Sequence, residues 1–157
     1  MSVPNGKATG IRRIALVAVA CLLVVGLAGG SVVGEERARP RRHMLSLTNA
    51  DRANHERKAL GFAARLSDYA KAHSQAMADR GYLFHSTAVQ LREALEGYDW
   101  ELGGENIGVG GSLEGLEEAF MDSPPHRQNL LRRIYRHAAI GIVRQDGRTW
   151  ITVIFYG

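Results

Sequence analysis

Apolar positions are densest at the C-terminal end of the chain. There Ile151, Val153 and Phe155 alternate with Trp150, Ile154 and Tyr156, leaving no polar face. A strand apolar on both sides must be covered on both sides. Ala139 to Val143 gives a second extended segment, and the Asp146-Gly147 pair between the two predicts a hairpin. Upstream the period changes to helical. Leu66, Tyr69, Ala70, His73 and Met77 share one face of a helix that Gly81 closes. A weaker helical pattern runs from Met44 to Leu60, with Gly61 as its stop. Thr87 and Gln90 form a capping box for a short helix carrying Leu91 and Leu95, which ends at Gly97. Glu105 to Val109 reads as a short extended or irregular piece between glycine pairs. Ser112 then caps a helix with Leu113, Leu116 and Phe120 on one side. Ser123-Pro124-Pro125 stops that helix and starts another, because proline suits a first turn and not a helix interior. Helices first, hairpin last and a doubly covered small antiparallel sheet make an α-β-α sandwich of the α+β class.

Charge changes how the N-terminal third is read. The net charge of +4 comes from 20 basic and 16 acidic residues. Lys7, Arg12, Arg13, Arg37, Arg39, Arg41 and Arg42 all precede residue 43, which leaves 13 basic against 14 acidic residues in 43–157. A near-neutral domain has no electrostatic footprint for nucleic acid. Residues 14–33 carry no charge and follow Arg12-Arg13, the order of an export signal. The run is also about 20 residues long, enough for a membrane span, and no clean A-x-A site follows it. Residues 1–33 are therefore a signal peptide or an N-terminal membrane anchor, residues 34–42 a charged linker, and 43–157 one domain of the cell exterior or envelope. Cys21 is the sole cysteine and lies in the apolar run, so the domain folds without an internal disulfide. The Ala18-Val19-Ala20-Cys21 sequence loosely resembles a lipobox, but the apolar run continues well past it.

Three stretches concentrate the chemistry: Phe84-His85-Ser86, Gly104-Glu105-Asn106-Ile107, and Ser123 through Asn129 (SPPHRQN). Preceded by Asn49 to Arg52 and the Leu66–Met77 helix, and followed by Ile140-Gly141-Ile142 and a terminal aromatic strand, they resemble the bacterial branch of the CAP superfamily. That superfamily includes the pathogenesis-related-1 and cysteine-rich secretory proteins. The resemblance implies a cleft formed by His85, Glu105, Asn106, Ser123 and His126, where two histidines and carboxylates meet. The family's second glutamate falls near Ser123, and Phe120 replaces its usual tryptophan. At most three of the four usual members remain.

The residues themselves suggest a chemistry. His85 lies two residues before the Thr87 cap and His126 in the first turn after Ser123, and positive helix ends disfavour imidazolium. Neutral imidazole is the metal-binding form. His85 and His126, with Glu105 as candidate base or third ligand and a water, would make an open zinc-type site. On the plainer reading the histidines hydrogen-bond loops while Glu105 accepts from backbone amides. His73, on the apolar helix face, reads as a satisfied core histidine. The Gly108–Gly111 run lacks the residues of a phosphate loop, and the domain contains no H-E-x-x-H, no G-x-S-x-G and no cysteine nucleophile. Two functions follow. One is a non-enzymatic extracellular module binding a lipid-like or envelope-derived ligand, as some eukaryotic relatives do; the other is a metal-assisted hydrolase acting on peptide or cell wall through His85, His126 and Glu105.

Overall fold

The computed structural model describes residue 1 and residues 29–157. Nearly all of the predicted signal or anchor lies outside them; residues 29–33 open the first helix. The elements are α1 (Gly29–Asn54), β1 (Gly61–Phe62), α2 (Leu66–Arg80), α3 (Ala88–Ala94), β2 (Gly103–Gly110), α4 (Leu113–Asp122), α5 (Pro124–Leu130), β3 (His137–Gln145) and β4 (Arg148–Tyr156). They form a four-stranded sheet in the order β1-β3-β4-β2. Helices cover it on both faces, as the terminal strand required. The sheet is antiparallel except for β1, a two-residue strand parallel to β3 that the sequence pattern gave no sign of.

The two faces of β4 separate by residue parity, which is the strand period. Ile151, Val153 and Phe155 pack with Met44, Leu116, Phe120 and Leu130 from α1, α4 and α5. Ile154 and Tyr156 pack with Leu66, Ala70 and Leu95 from the α2–α3 side, and Trp150 with Met77. Ile151, Val153, Ile154 and Phe155 are completely buried. Each contributes about 1.5–3 kcal/mol relative to an exposed side chain. Gly141 lets α2 approach β3 closely, since a Cβ there would overlap the Ala70 backbone. Ser74 of α2 fastens this contact by donating to Thr152 Oγ1 at 2.9 Å.

The hairpin turn is as expected: Asp146 and Gly147 both take positive φ, 52° and 71°. Gly81 caps α2 at φ 74°, and the Thr87–Gln90 box is formed in both directions. The first helix differs from the predicted span at both ends. It begins at Gly29, so the segment read as a linker lies within a helix, despite the hydrogen bond that Pro40 cannot make. It ends at Asn54, before Gly61. Glu56 takes φ 55°, and the Arg57 N–H reaches Arg52 O at 2.8 Å while the Glu56 N–H reaches Ala53 O, a Schellman closure built on a non-glycine residue. Completely buried Arg52 then ties this helix end to the α5–β3 connection, donating to the carbonyls of Lys58, Leu130, Arg132 and Tyr135.

Candidate functional site

The site is organised by β2, which lies at the open edge of the sheet. Glu105 and Asn106 are consecutive on this strand and pair with Ile154 and Val153, so they point to opposite faces. Each fastens one loop. The two loops meet at the strand edge.

On the α2 face, Glu105 is buried, its side chain 4% exposed. Its Oε1 accepts from His85 Nδ1 at 2.8 Å and from the Ser86 N–H at 2.9 Å, and its Oε2 accepts from Ser86 Oγ at 2.7 Å. A carboxylate only accepts, so His85 carries a proton on Nδ1, and in the neutral ring Nε2 is the acceptor. The imidazole is 57% exposed, which puts that lone pair at the surface. Tyr69 of α2 extends the network, its hydroxyl donating to Ser86 Oγ at 3.3 Å. His73 forms the back wall. It donates from Nε2 to Phe84 O at 2.8 Å, lies edge-on to the Phe84 ring, and has Glu105 Oε2 at 4.0 Å. Its polar group is satisfied by backbone, as its place on an apolar face suggested.

On the opposite face, completely buried Asn106 donates to His126 O at 3.0 Å and accepts from Asn129 Nδ2 at 2.9 Å. Asn129 also reaches Glu105 O at 3.3 Å. These bonds hold α5 against β2 and present His126, whose ring centroid lies 5.1 Å from that of Phe120. Gly104 keeps the strand close beneath them, because a Cβ there would overlap the Tyr135 hydroxyl and crowd Asn129 Oδ1. Burial lowers the His126 pKa from its ordinary 6.5, and the nearby His85 lowers it further. Neutral imidazole at His126 thus follows from desolvation and a neighbouring histidine, not from a helix end.

Four of the five predicted cleft residues lie around the β2 edge. Ser123 contributes a position only: it opens α5, but its side chain makes no capping hydrogen bond and none to the other four. Glu105 and His126 share no direct hydrogen bond. Ser86, Tyr69 and Asn129 complete the network. Ser86 and Asn129 lie within the quoted stretches, but nothing in the sequence assigns a hydroxyl to a carboxylate nineteen positions on.

Among the described residues, this donor set offers a zinc ion two imidazoles and no third protein ligand. Both Glu105 oxygens are engaged by His85 and Ser86, and Ser123 supplies no second carboxylate. Among the described residues, no three His, Cys, Asp or Glu side chains are placed to hold a metal. What the geometry offers is an exposed imidazole at His85, held from behind by the buried Glu105 carboxylate, and a second imidazole at His126.

Comparison with known proteins agrees with this architecture. The family model described as "CAP: Cysteine-rich secretory protein family" matches residues 45–156. The YkwD protein of Bacillus subtilis, whose own role is uncharacterized, is 31% identical over 115 residues, covering 69% of this chain and 44% of that protein. The chain thus spans less than half the length of this relative. An extracellular SCP-domain protein from Bacillus anthracis superposes with a TM-score of 0.60 at 25% identity, covering 73% of this chain and 39% of that one. An outer surface protein from Borrelia burgdorferi gives a TM-score of 0.63 at 19% identity, covering 75% of this chain and 92% of that one, and shows the fold alone. With the edge-strand Glu105 and Asn106, the His85 and His126 loops and the doubly covered sheet in their family order, the chain belongs to the CAP, or cysteine-rich secretory protein, family.

Proposed function

We propose that this protein is an exported, non-enzymatic binding module whose recognition surface is the β2 edge carrying His85 and His126. The observation that carries this reading is the burial and engagement of Glu105. A general base needs an oxygen within reach of the proton it removes, and here the side chain is 4% exposed with both oxygens hydrogen-bonded to His85 and Ser86. The carboxylate acts as a positioning residue: it fixes the His85 tautomer so that Nε2 accepts from a ligand hydroxyl or amide. Beside it, His126 supplies a neutral, half-buried ring against Phe120. An acceptor next to an aromatic surface suits an envelope-derived or lipid-like ligand with a polar head and an apolar body. Export is supported by the charged-then-apolar order of the N-terminal residues and by similarity to an extracellular SCP-domain protein.

The zinc-assisted hydrolase is the competing function, and metal analysis separates the two. Full-length protein purified without an affinity tag is assayed for zinc and for peptide or cell-wall turnover, alongside His85→Ala and His126→Ala. Sub-stoichiometric zinc in all three, with no turnover, is the expected result. One zinc per chain in the native protein, lost with turnover in both variants, would overturn the binding-module reading.

A further inference from the structure

A groove of about 660 Å³ lies away from His85 and His126, beside the N-terminal part of α1. It is lined by Leu113 and Ile142 and by the cationic Arg39, Arg41, Lys71 and Arg144. This clustering stands out in a domain with 13 basic and 14 acidic residues. Arg41 is partly neutralised by Asp68 at 3.3 Å, whereas Lys71 and Arg144 are exposed and form no ion pair among the described residues. The acids gather on another part of the surface. A second groove, between the C-terminal half of α1 and α4, is lined by Asp51, Glu114, Glu117, Glu118 and Asp122. Along α1 the basic groove lies on the Gly29 side of the acidic one, and a second basic patch lies past Asn54.

The position of the basic groove points to an occupant. The uncharged run 14–33 leads directly into α1, and Arg39 lies six residues past its end. At 1.5 Å per helical residue, this places the basic rim about 9 Å beyond the apolar run, at the depth of lipid headgroups when the run is held in a bilayer. We propose that the groove is a docking surface for an anionic phospholipid bilayer, where Arg39, Lys71 and Arg144 meet headgroup phosphates. Each cation near an anionic surface strengthens association roughly fivefold. Four of the groove's residues, Arg39, Pro40, Arg41 and His43, precede the segment that matches the family model. A competing basic patch lines a groove at the other end of α1, with Arg57, Lys58, Arg133 and Arg136.

The chain's three lysines make the test direct, since Lys71 marks the basic groove and exposed Lys58 marks the competing patch. The full chain, apolar run included, is placed in nanodiscs of phosphatidylcholine alone or with about one-third phosphatidylglycerol, and lysines are labelled with an amine-reactive probe and quantified by mass spectrometry. Lys71 labelling is expected to fall at least fivefold in the anionic discs while Lys58 stays constant, and half-molar salt should reverse the change. Arg39→Glu with Arg144→Glu, both at exposed positions, should abolish the Lys71 protection without altering Lys58. Equal Lys71 labelling in the two discs, protection of Lys58 instead, or protection that survives the double charge reversal would each overturn the proposal.

Discussion

Glu117 gives the sharpest quantitative prediction. It sits on α4 facing α1, 3% exposed, with Thr48 Oγ1 donating to Oε2 at 3.1 Å and Oε1 without any partner. Burial raises its pKa from 4.5 to about 7; the Thr48 hydrogen bond opposes the rise and the charge of Asp51 adds to it. An acid whose folded pKa is raised binds its proton more tightly when folded. Its contribution is therefore fully present below pH 4.5 and is lost as pH rises through about 7. A shift of about 2.5 units corresponds to about 3 kcal/mol at most, at 1.36 kcal/mol per unit. Glu117→Gln removes the titration while keeping an acceptor for Thr48. Native and variant proteins should therefore differ little at pH 4.5, and the variant should be the more stable by about 3 kcal/mol at pH 8.5. For a domain of this size that is a rise of roughly 8–15 °C in Tm. Urea or thermal unfolding from pH 4.5 to 9 measures it directly. A stability gap that stays constant across that range would refute the reasoning, because a purely steric effect has no pH dependence.

Glu105→Gln places an amide among the N–H and O–H donors of His85 and Ser86. It should cost about 1–3 kcal/mol and release the His85 tautomer, visible as protonation moving to Nε2 in ¹⁵N-detected imidazole spectra. His126 should titrate below 6.5 by NMR, and His85→Ala should move its midpoint upward by removing one of the two causes of the depression. Arg52→Met leaves the carbonyls of Lys58, Leu130, Arg132 and Tyr135 without their donor and should cost about 3 kcal/mol in urea unfolding. Gly141→Ala forces α2 away from β3 and should cost about 1–3 kcal/mol, with Ser74 losing its bond to Thr152.

Signals that are local in the chain were legible in the sequence. The hairpin turn at Asp146-Gly147, the Thr87–Gln90 box, the Gly81 cap and the two apolar faces of β4 each depend on residues a few positions apart, and the structure places them as expected. The end of α1 was not legible, because the left-handed residue that closes it is Glu56, whose side chain gives no warning of positive φ. β1 was equally silent: two residues have no periodicity, and only the β3 edge defines them as a strand. At the site, the motifs led to the right loops while the role of Glu105 changed. Its bonds to Ser86 arise from folding a loop onto a buried edge strand, a contact that no spacing encodes. The alternation of Glu105 and Asn106 between faces is a strand property, and reading 105–109 as merely extended or irregular left it unused.

The account's central claim is that the His85–His126 edge binds a ligand without transforming it. Wild-type protein and the His85→Ala/His126→Ala double variant are incubated with a total cell-envelope extract, and both bound molecules and free products are quantified by mass spectrometry. The account predicts that the native protein retains an envelope molecule of unaltered mass, that the double variant loses it, and that no new product accumulates with either. Accumulation of a cleaved product with the native protein alone would contradict it.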